Sequence, residues 1–298
     1  MLESDSSAMN DLRPIVNSFF DQQTNSFSYV VYCPNTLAAA VIDSVLNFDY
    51  ASARTSTQLA DEIIAFVRAH DLHIEWILET HIHADHLTAA PYLQEQLGGK
   101  TAIGQAITQV QETFAPIFDV EEGFPLDGSQ FNCLLADGAT FFIGDIPVEV
   151  IHTPGHTPAC MSYLIGDAVF VGDTLFMPDY GTARCDFPGG DAALLYQSVQ
   201  KFYALGDTTR MFLCHDYLPA TRQEYQCETT VGAQRQSNIH IHEGVSQEAY
   251  VRLRNTRDAT LAMPRLIIPS VQINLRAGKL PPAAANKIIY LKTPLNTL

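Results

Sequence analysis

Thr80-His81-Ile82-His83-Ala84-Asp85-His86 is the stretch that decides how this chain is read. Its three histidines and one aspartate follow an apolar run, Ile74 to Thr80, with the composition of a short buried strand. Alternate side chains of an extended segment share a face, so His81, His83 and Asp85 can converge on one point. His86 joins them from the first turn of a helix expected over residues 86–97, which Gly98-Gly99 would close. Neutral imidazoles and a carboxylate suit a divalent transition metal. One histidine in such a place would more often be an ordinary surface residue; four candidate ligands spaced HxHxDH would not.

Three residues further along sit where strands are expected to end. His152 closes Val148-Glu149-Val150-Ile151, Asp173 closes Val169-Phe170-Val171-Gly172, and His215 closes Met211-Phe212-Leu213-Cys214. Each alone would more often be structural, but their shared position is what a metal site at one edge of a sheet sandwich requires. His156, in the Gly-containing turn beyond His152, reads as structural.

The rest of the pattern is a mixture of strands and helices. Phe27 to Cys33 and Leu37 to Asp43, separated by Pro34-Asn35, predict a hairpin. Leu59, Ile63, Ile64 and Val67 recur at helical spacing within residues 57–70, with Ser56 or Thr57 as the cap. A strand is expected over residues 100–103. Further short strands are expected over 139–143, 147–152, 161–165, 168–171 and 211–215, and helices over 191–205 and 246–262. This order argues for a layered α/β sandwich with mixed sheets rather than regular βαβ repeats. No linker, repeat or low-complexity tract interrupts it, so the expectation is a single domain over residues 1–298 with a C-terminal extension, from about residue 264, packed on it.

Charge narrows the partners. With 17 Lys+Arg against 33 Asp+Glu, the chain carries a formal −16, which excludes the broad basic surface that nucleic acid or an anionic membrane would need. The imbalance is uneven: eight basic residues and one acid follow Val251, a net +7, so the first 251 residues carry −23. No run approaches the roughly 18 apolar residues of a membrane span. MLESDSSAMNDLRPIV does not read as a secretory signal, and the six cysteines contain no CxxC pair, which predicts reduced thiols and a cytoplasmic protein, in a bacterial cytosol.

Taken together, the THxHxDH segment, a later His, a later Asp and a final His resemble the motif set of the metallo-β-lactamase superfamily, closely from about His81 to His215. The resemblance implies an α/β fold, a four-layer αββα sandwich with mixed sheets and a metal site at one edge between them. Seven potential ligands could hold two metals sharing a bridging hydroxide for hydrolysis. They could instead hold one metal through two histidines and a carboxylate, with positions open for dioxygen and substrate.

Gly181-Thr182-Ala183-Arg184-Cys185-Asp186-Phe187 looks like the Arg-x-Asp-Phe loop of the persulfide dioxygenases. His152-Thr153-Pro154-Gly155-His156-Thr157-Pro158, His215-Asp216-Tyr217 and Asn274-Leu275-Arg276-Ala277-Gly278 are similar to that group as well. Carried over, the resemblance implies one Fe(II) per chain, bound by the catalytic ligands His81, His152 and Asp173. His83, Asp85, His86 and His215 would then be relics of a second metal site, hydrogen-bonded around the first. It implies oxidation of glutathione persulfide with O2 to sulfite and glutathione, the chemistry of sulfide detoxification, in a homodimer.

A body so acidic would repel an anionic substrate unless donors were placed locally. Arg184 is the candidate carboxylate clamp and Tyr217 the candidate for a hydrogen bond close to the substrate's sulfur or its peptide backbone. Arg235, in Arg235-Gln236-Ser237-Asn238, is a loose substitute for an arginine with which the human-type enzymes of the group hold glutathione. Cys160 and Cys185 flank the site in sequence and read as small buried hydrophobes rather than sulfur carriers. The rival reading is a binuclear site with two Zn hydrolysing S-lactoylglutathione, in the manner of glyoxalase II. A non-catalytic sensor is disfavoured because it need not keep an open coordination edge.

Overall fold

A computed structural model describes residues 13–297. Most of the N-terminal stretch considered above for a leader, and Leu298, lie outside the described residues. Two six-stranded sheets face each other. The first runs β1 (Ile15–Asp21), β2 (Ser26–Tyr32), β3 (Ala38–Ile42), β6 (His73–Leu78), β8 (Lys100–Gly104), β9 (Cys133–Leu135). A small sheet of β5 (Arg54–Ser56), β4 (Val45–Asp49) and β7 (Leu87–Thr88) lies beside it. The second large sheet runs in chain order, β10 (Thr140–Ile143), β11 (Ile146–His152), β12 (Met161–Ile165), β13 (Ala168–Phe170), β14 (Arg210–Phe212) and β15 (Glu228–Thr230). Both large sheets are mixed: β3, β6, β8 and β9 are parallel in one, β13 and β14 in the other, and the remaining pairs are antiparallel.

The inner faces bury Tyr29, Val31, Ala40 and Ile42 against Val148, Val150, Tyr163 and Phe170. Helices α1 (Gln58–Ala69) and α2 (Ala90–Leu97) cover the outside of the first sheet. Leu59, Ile63, Ile64 and Val67 of α1 are buried as their spacing predicts. Helix α3 (Ile107–Ile117) belongs to a second apolar cluster near the site. On the outside of the second sheet lie α4 (Ala192–Tyr203), capped by the Asp191 carboxylate, then α5 (Val231–Ser237) and α6 (Gln247–Asp258), capped by Ser246. The result is helix, sheet, sheet, helix, and among the described residues no helix is long and apolar enough to cross a membrane.

Three local expectations change. The helix expected from His86 begins only at Ala90, because Leu87 and Thr88 pair with Leu46 and Val45 as β7, and Pro91 favours a helix start there. The ligand segment therefore lies in an irregular loop between β6 and β7 rather than on a strand edge and a helix turn. Secondly, β1, β4, β5, β15, α3 and α5 go unanticipated. Thirdly, the apolar stretch after Pro264 forms helix α7 (Ile267–Asn274), whose Ile267, Val271 and Leu275 are buried with Ile82 and Phe187. Further on, Gln272 exchanges two hydrogen bonds with the Lys292 backbone, at 2.9 and 2.8 Å.

Candidate metal centre and substrate cavity

The loop after β6 is held from below. Asp43, at the end of β3, accepts hydrogen bonds from Thr80 N at 2.7 Å and Thr80 Oγ1 at 2.9 Å. Since Thr80 Oγ1 donates to Asp43, it receives the Nδ1 proton of His81 at 3.0 Å, and the lone pair of His81 Nε2 faces inward. Three more imidazoles are fixed in the same way through Nδ1: His86 on Leu87 O at 3.2 Å, His156 on Arg184 O at 2.8 Å, and His215 on Asn25 O at 3.2 Å. Asp173 lies among them, with its oxygens 4.0 Å from His81 Nε2, 3.6 Å from His156 Nε2 and 3.2 Å from His215 Nε2. Asp85 is 3.4 Å from His215 Nε2 and accepts from Ser26 Oγ at 3.1 Å.

These inward-facing atoms are buried, and His81 Nε2, His86 Nε2, His215 Nε2 and Asp173 Oδ1 have no hydrogen-bond partner. Buried polar atoms are ordinarily satisfied, so a cluster of bare imidazole nitrogens around a carboxylate fits a metal ion. Ligand atoms of His81, His156 and Asp173 all lie within 4.8 Å of one another. His83 stands apart from that triad. Its Nε2 is bonded to Asp43 at 3.0 Å and lies 3.3 Å from Glu79, its Nδ1 is bare, and its ring atoms group with His86 and Cys214. Among the described residues, no group of equal compactness joins Asp85, His86 and His215.

Burial, reinforced by His83, pushes the His81 imidazole well below its ordinary value, and burial takes His86 down to about 4. Burial would do the same to His215, but Asp173 beside it outweighs the effect and holds it well above. In return Asp173, against its own burial, is held well below the usual carboxylate range by His215, His81 and His156. His81 and His86, held neutral beside an ionised Asp173, are in the charge state a cation requires, whereas His215, held protonated by Asp173, would give up its proton to a bound metal.

The structure brings His156, rather than the expected His152, to the cluster. His152 ends β11, but its Nε2 is bonded to Pro158 O at 2.8 Å, its N–H to Asp137, and its carbonyl to Lys201. His156, expected to be structural, lies in the position expected of His152, with its Nε2 3.6 Å from Asp173. The turn between them is responsible. Gly155 has φ 140°, and a Cβ there would sit 2.4 Å from Leu195 N, so the chain can press against the start of α4 and reverse. Asp191 N donates to Gly155 O at 2.8 Å, which fixes the reversal and swings His156 inward. The glycine between the two histidines was the available signal.

A cavity of about 310 Å³ opens beside the cluster, reached by Asp85, His156 and Asp173 at one end. Tyr217 borders it, its ring stacked on His215 at 5.7 Å and on Tyr180 at 4.9 Å. Arg184 also borders it, but is not free to clamp a ligand. Its Nε and NH2 grip Asp186 at 2.6 Å each, NH1 donates to Ala262 O at 2.7 Å, and the guanidinium lies over Phe187. Arg235 is bound to Asp207 and the Tyr203 carbonyl and does not border the cavity.

Sequence reasoning missed the cavity's far wall. Arg254, 1% exposed, donates to Asp258 Oδ1 at 2.8 Å and Thr182 O at 3.0 Å, while Asp258 accepts from Cys185 N at 2.9 Å. This pair on α6 pins the loop whose Arg184 carbonyl orients His156. Burial pushes the Cys160 thiol up to about 12 and raises Cys185 as well, so neither supplies a thiolate near neutral pH. The double variant C160S/C185S is expected to keep turnover within about threefold of the parent; a loss beyond about tenfold would assign the thiols a role.

Comparison with known proteins agrees with this geometry. The profile described as Metallo-beta-lactamase superfamily matches residues 22–215. The chain is 49% identical over 293 residues to the "Probable metallo-hydrolase" of Burkholderia pseudomallei, covering 95% of this chain and 99% of that one. It is 48% identical over 285 residues to "Glyoxylase B2" of Dictyostelium discoideum, covering 95% and 97%. The human mitochondrial persulfide dioxygenase ETHE1 is 27% identical over 273 residues, covering 91% of each. Among solved structures, ETHE1 from Myxococcus xanthus superimposes with a TM-score of 0.70 at 26% identity, covering 89% of this chain and all of that one. On fold, ligand cluster and sequence alike, the chain belongs to the metallo-β-lactamase superfamily and is similar to its ETHE1-like group.

Proposed function

We propose that the chain is a mononuclear non-haem iron dioxygenase that oxidises glutathione persulfide with O2 to sulfite and glutathione. The observation that carries this reading is the compact triad of His81, His156 and Asp173, with His83 turned to Asp43 and Glu79 instead of joining it. Two histidines and one carboxylate are the ligand set of non-haem iron(II) oxygenases. An iron ion held there would supply the redox chemistry toward O2 that zinc lacks.

The protein's own part is positioning. Thr80 and the Arg184 carbonyl hold the Nδ1 protons of His81 and His156, so both Nε2 lone pairs point inward. Phe176 and Phe187 give the cavity an apolar wall that limits water near the reacting sulfur. Tyr217 places its ring beside His215 at the same end.

A second reading, a binuclear zinc hydrolase of S-lactoylglutathione, is favoured by the presence of Asp85, His86 and His215 and by the similarity to Glyoxylase B2. Metal analysis and turnover separate the two. Iron-loaded protein with about one metal per chain is expected to take up O2 when glutathione persulfide is added. Two zincs per chain with hydrolysis of S-lactoylglutathione and no O2 uptake would overturn the dioxygenase reading.

A further inference from the structure

Four arginines border the cavity: Arg184, Arg254, Arg257 and Arg265. Two are consumed internally, Arg184 by Asp186 and Arg254 by Asp258. Neither Arg257, at the last turn of α6, nor Arg265, in the connection to α7, makes a side-chain hydrogen bond or ion pair among the described residues. Both are exposed. The other charged groups on the wall are Asp85 and Asp173, which belong to the metal end. In a chain of formal charge −16, these two cations border the cavity from the basic C-terminal region without a direct ion pair, Arg265 feeling only the longer-range attraction of Asp49.

We propose that Arg257 and Arg265 are the substrate-carboxylate receptors of this cavity, selecting low-molecular-weight thiol derivatives that carry free carboxylates. The inference rests on the proposed reading of the metal centre for the reaction, but not for the binding. A cavity of about 310 Å³ is at the lower end of the range that encloses small-molecule ligands, and a lining that joins apolar side chains to the metal cluster and to two arginines suits a peptide thiol. Guanidinium groups bind carboxylates through paired charge-assisted hydrogen bonds, so the contribution should appear in affinity rather than in the chemical step.

The test is calorimetric titration of the metal-loaded protein with glutathione and with glutathione diethyl ester, in which both carboxylates are blocked. The double variant R257Q/R265Q is expected to bind glutathione about 10- to 100-fold more weakly, and the ester should bind the parent about as weakly. R252Q, exposed on the same helix but off the cavity, controls for the loss of charge alone and should leave binding unchanged. In turnover with glutathione persulfide, KM should rise by the same factor while kcat stays within about twofold.

Equal affinity of the parent for glutathione and its ester, unchanged glutathione affinity in the double variant, or no glutathione binding by the parent would each overturn the proposal. Glutathione binding that depends on the arginines, without O2 uptake, would refute the dioxygenase reading alone. O2 uptake with an unchanged KM in the double variant would refute this inference alone.

Discussion

His156→Ala is expected to empty the metal centre, taking metal content from about one per chain to near zero and abolishing turnover, while His152→Ala keeps its metal. Removing an outer partner of a metal ligand commonly costs about 10- to 100-fold in metal affinity or activity, and removing the ligand itself should cost more. His156 is one of three residues whose ligand atoms lie within 4.8 Å of one another, and its Nδ1 is already committed to Arg184 O. His152 has only its Nε2 contact to Pro158 O to lose, worth about 1 kcal/mol. Metal content by elemental analysis after gel filtration decides the matter. Retained metal in H156A, with loss in H152A, would restore the assignment made from the sequence.

The second large effect is expected from Asn274→Ala. Asn274 Nδ2 donates to His83 O and His86 O, both at 2.8 Å, and its Oδ1 accepts from Thr88 N at 2.9 Å. One side chain on α7 therefore closes three buried backbone groups of the ligand loop and β7. Alanine would leave all three unpaired, at about 1–3 kcal/mol each, a large share of the roughly 5–15 kcal/mol by which a domain is stable. Thermal unfolding of the metal-free protein should fall by roughly 5–10 °C. Metal affinity should fall with it, because the loop that carries His81 loses the tether two and five residues further on, at His83 and His86. An unchanged melting temperature would show that water satisfies the loop without Asn274.

The framework of this site could be read from the sequence because its signals are local. HxHxDH places four ligating groups in one loop whatever that loop's conformation, and the hairpin and α1 follow from turn residues and apolar spacing. What stayed hidden depends on contacts distant along the chain. His152 and His156 are indistinguishable as residue types, and only the packing of Gly155 against Leu195 decides which one turns inward. The fate of Arg184 depends on Asp186, two residues away, and on the carbonyl of Ala262, seventy-eight residues away, a contact that no local pattern reveals. Asp43 carries no motif of its own, yet it orders Thr80 and binds His83. The basic C-terminal stretch was legible as a charge anomaly, but its α6 arginines divide among a buried ion pair at Arg254, the cavity edge at Arg257 and the open surface at Arg252, a division set by the depth of each position on the helix.

The tether from Asn274 to the ligand loop also sets an order of events during synthesis. Residues 81–86 emerge early, but the side chain that fixes their backbone is made almost two hundred residues later, and a ribosome adding about 5–20 residues per second needs tens of seconds at its slower pace to supply it. Until α7 has been made and has cleared the exit tunnel, the histidine loop lacks this fixed shape, so metal acquisition at the finished centre follows the synthesis of α7 rather than the emergence of the ligand loop itself.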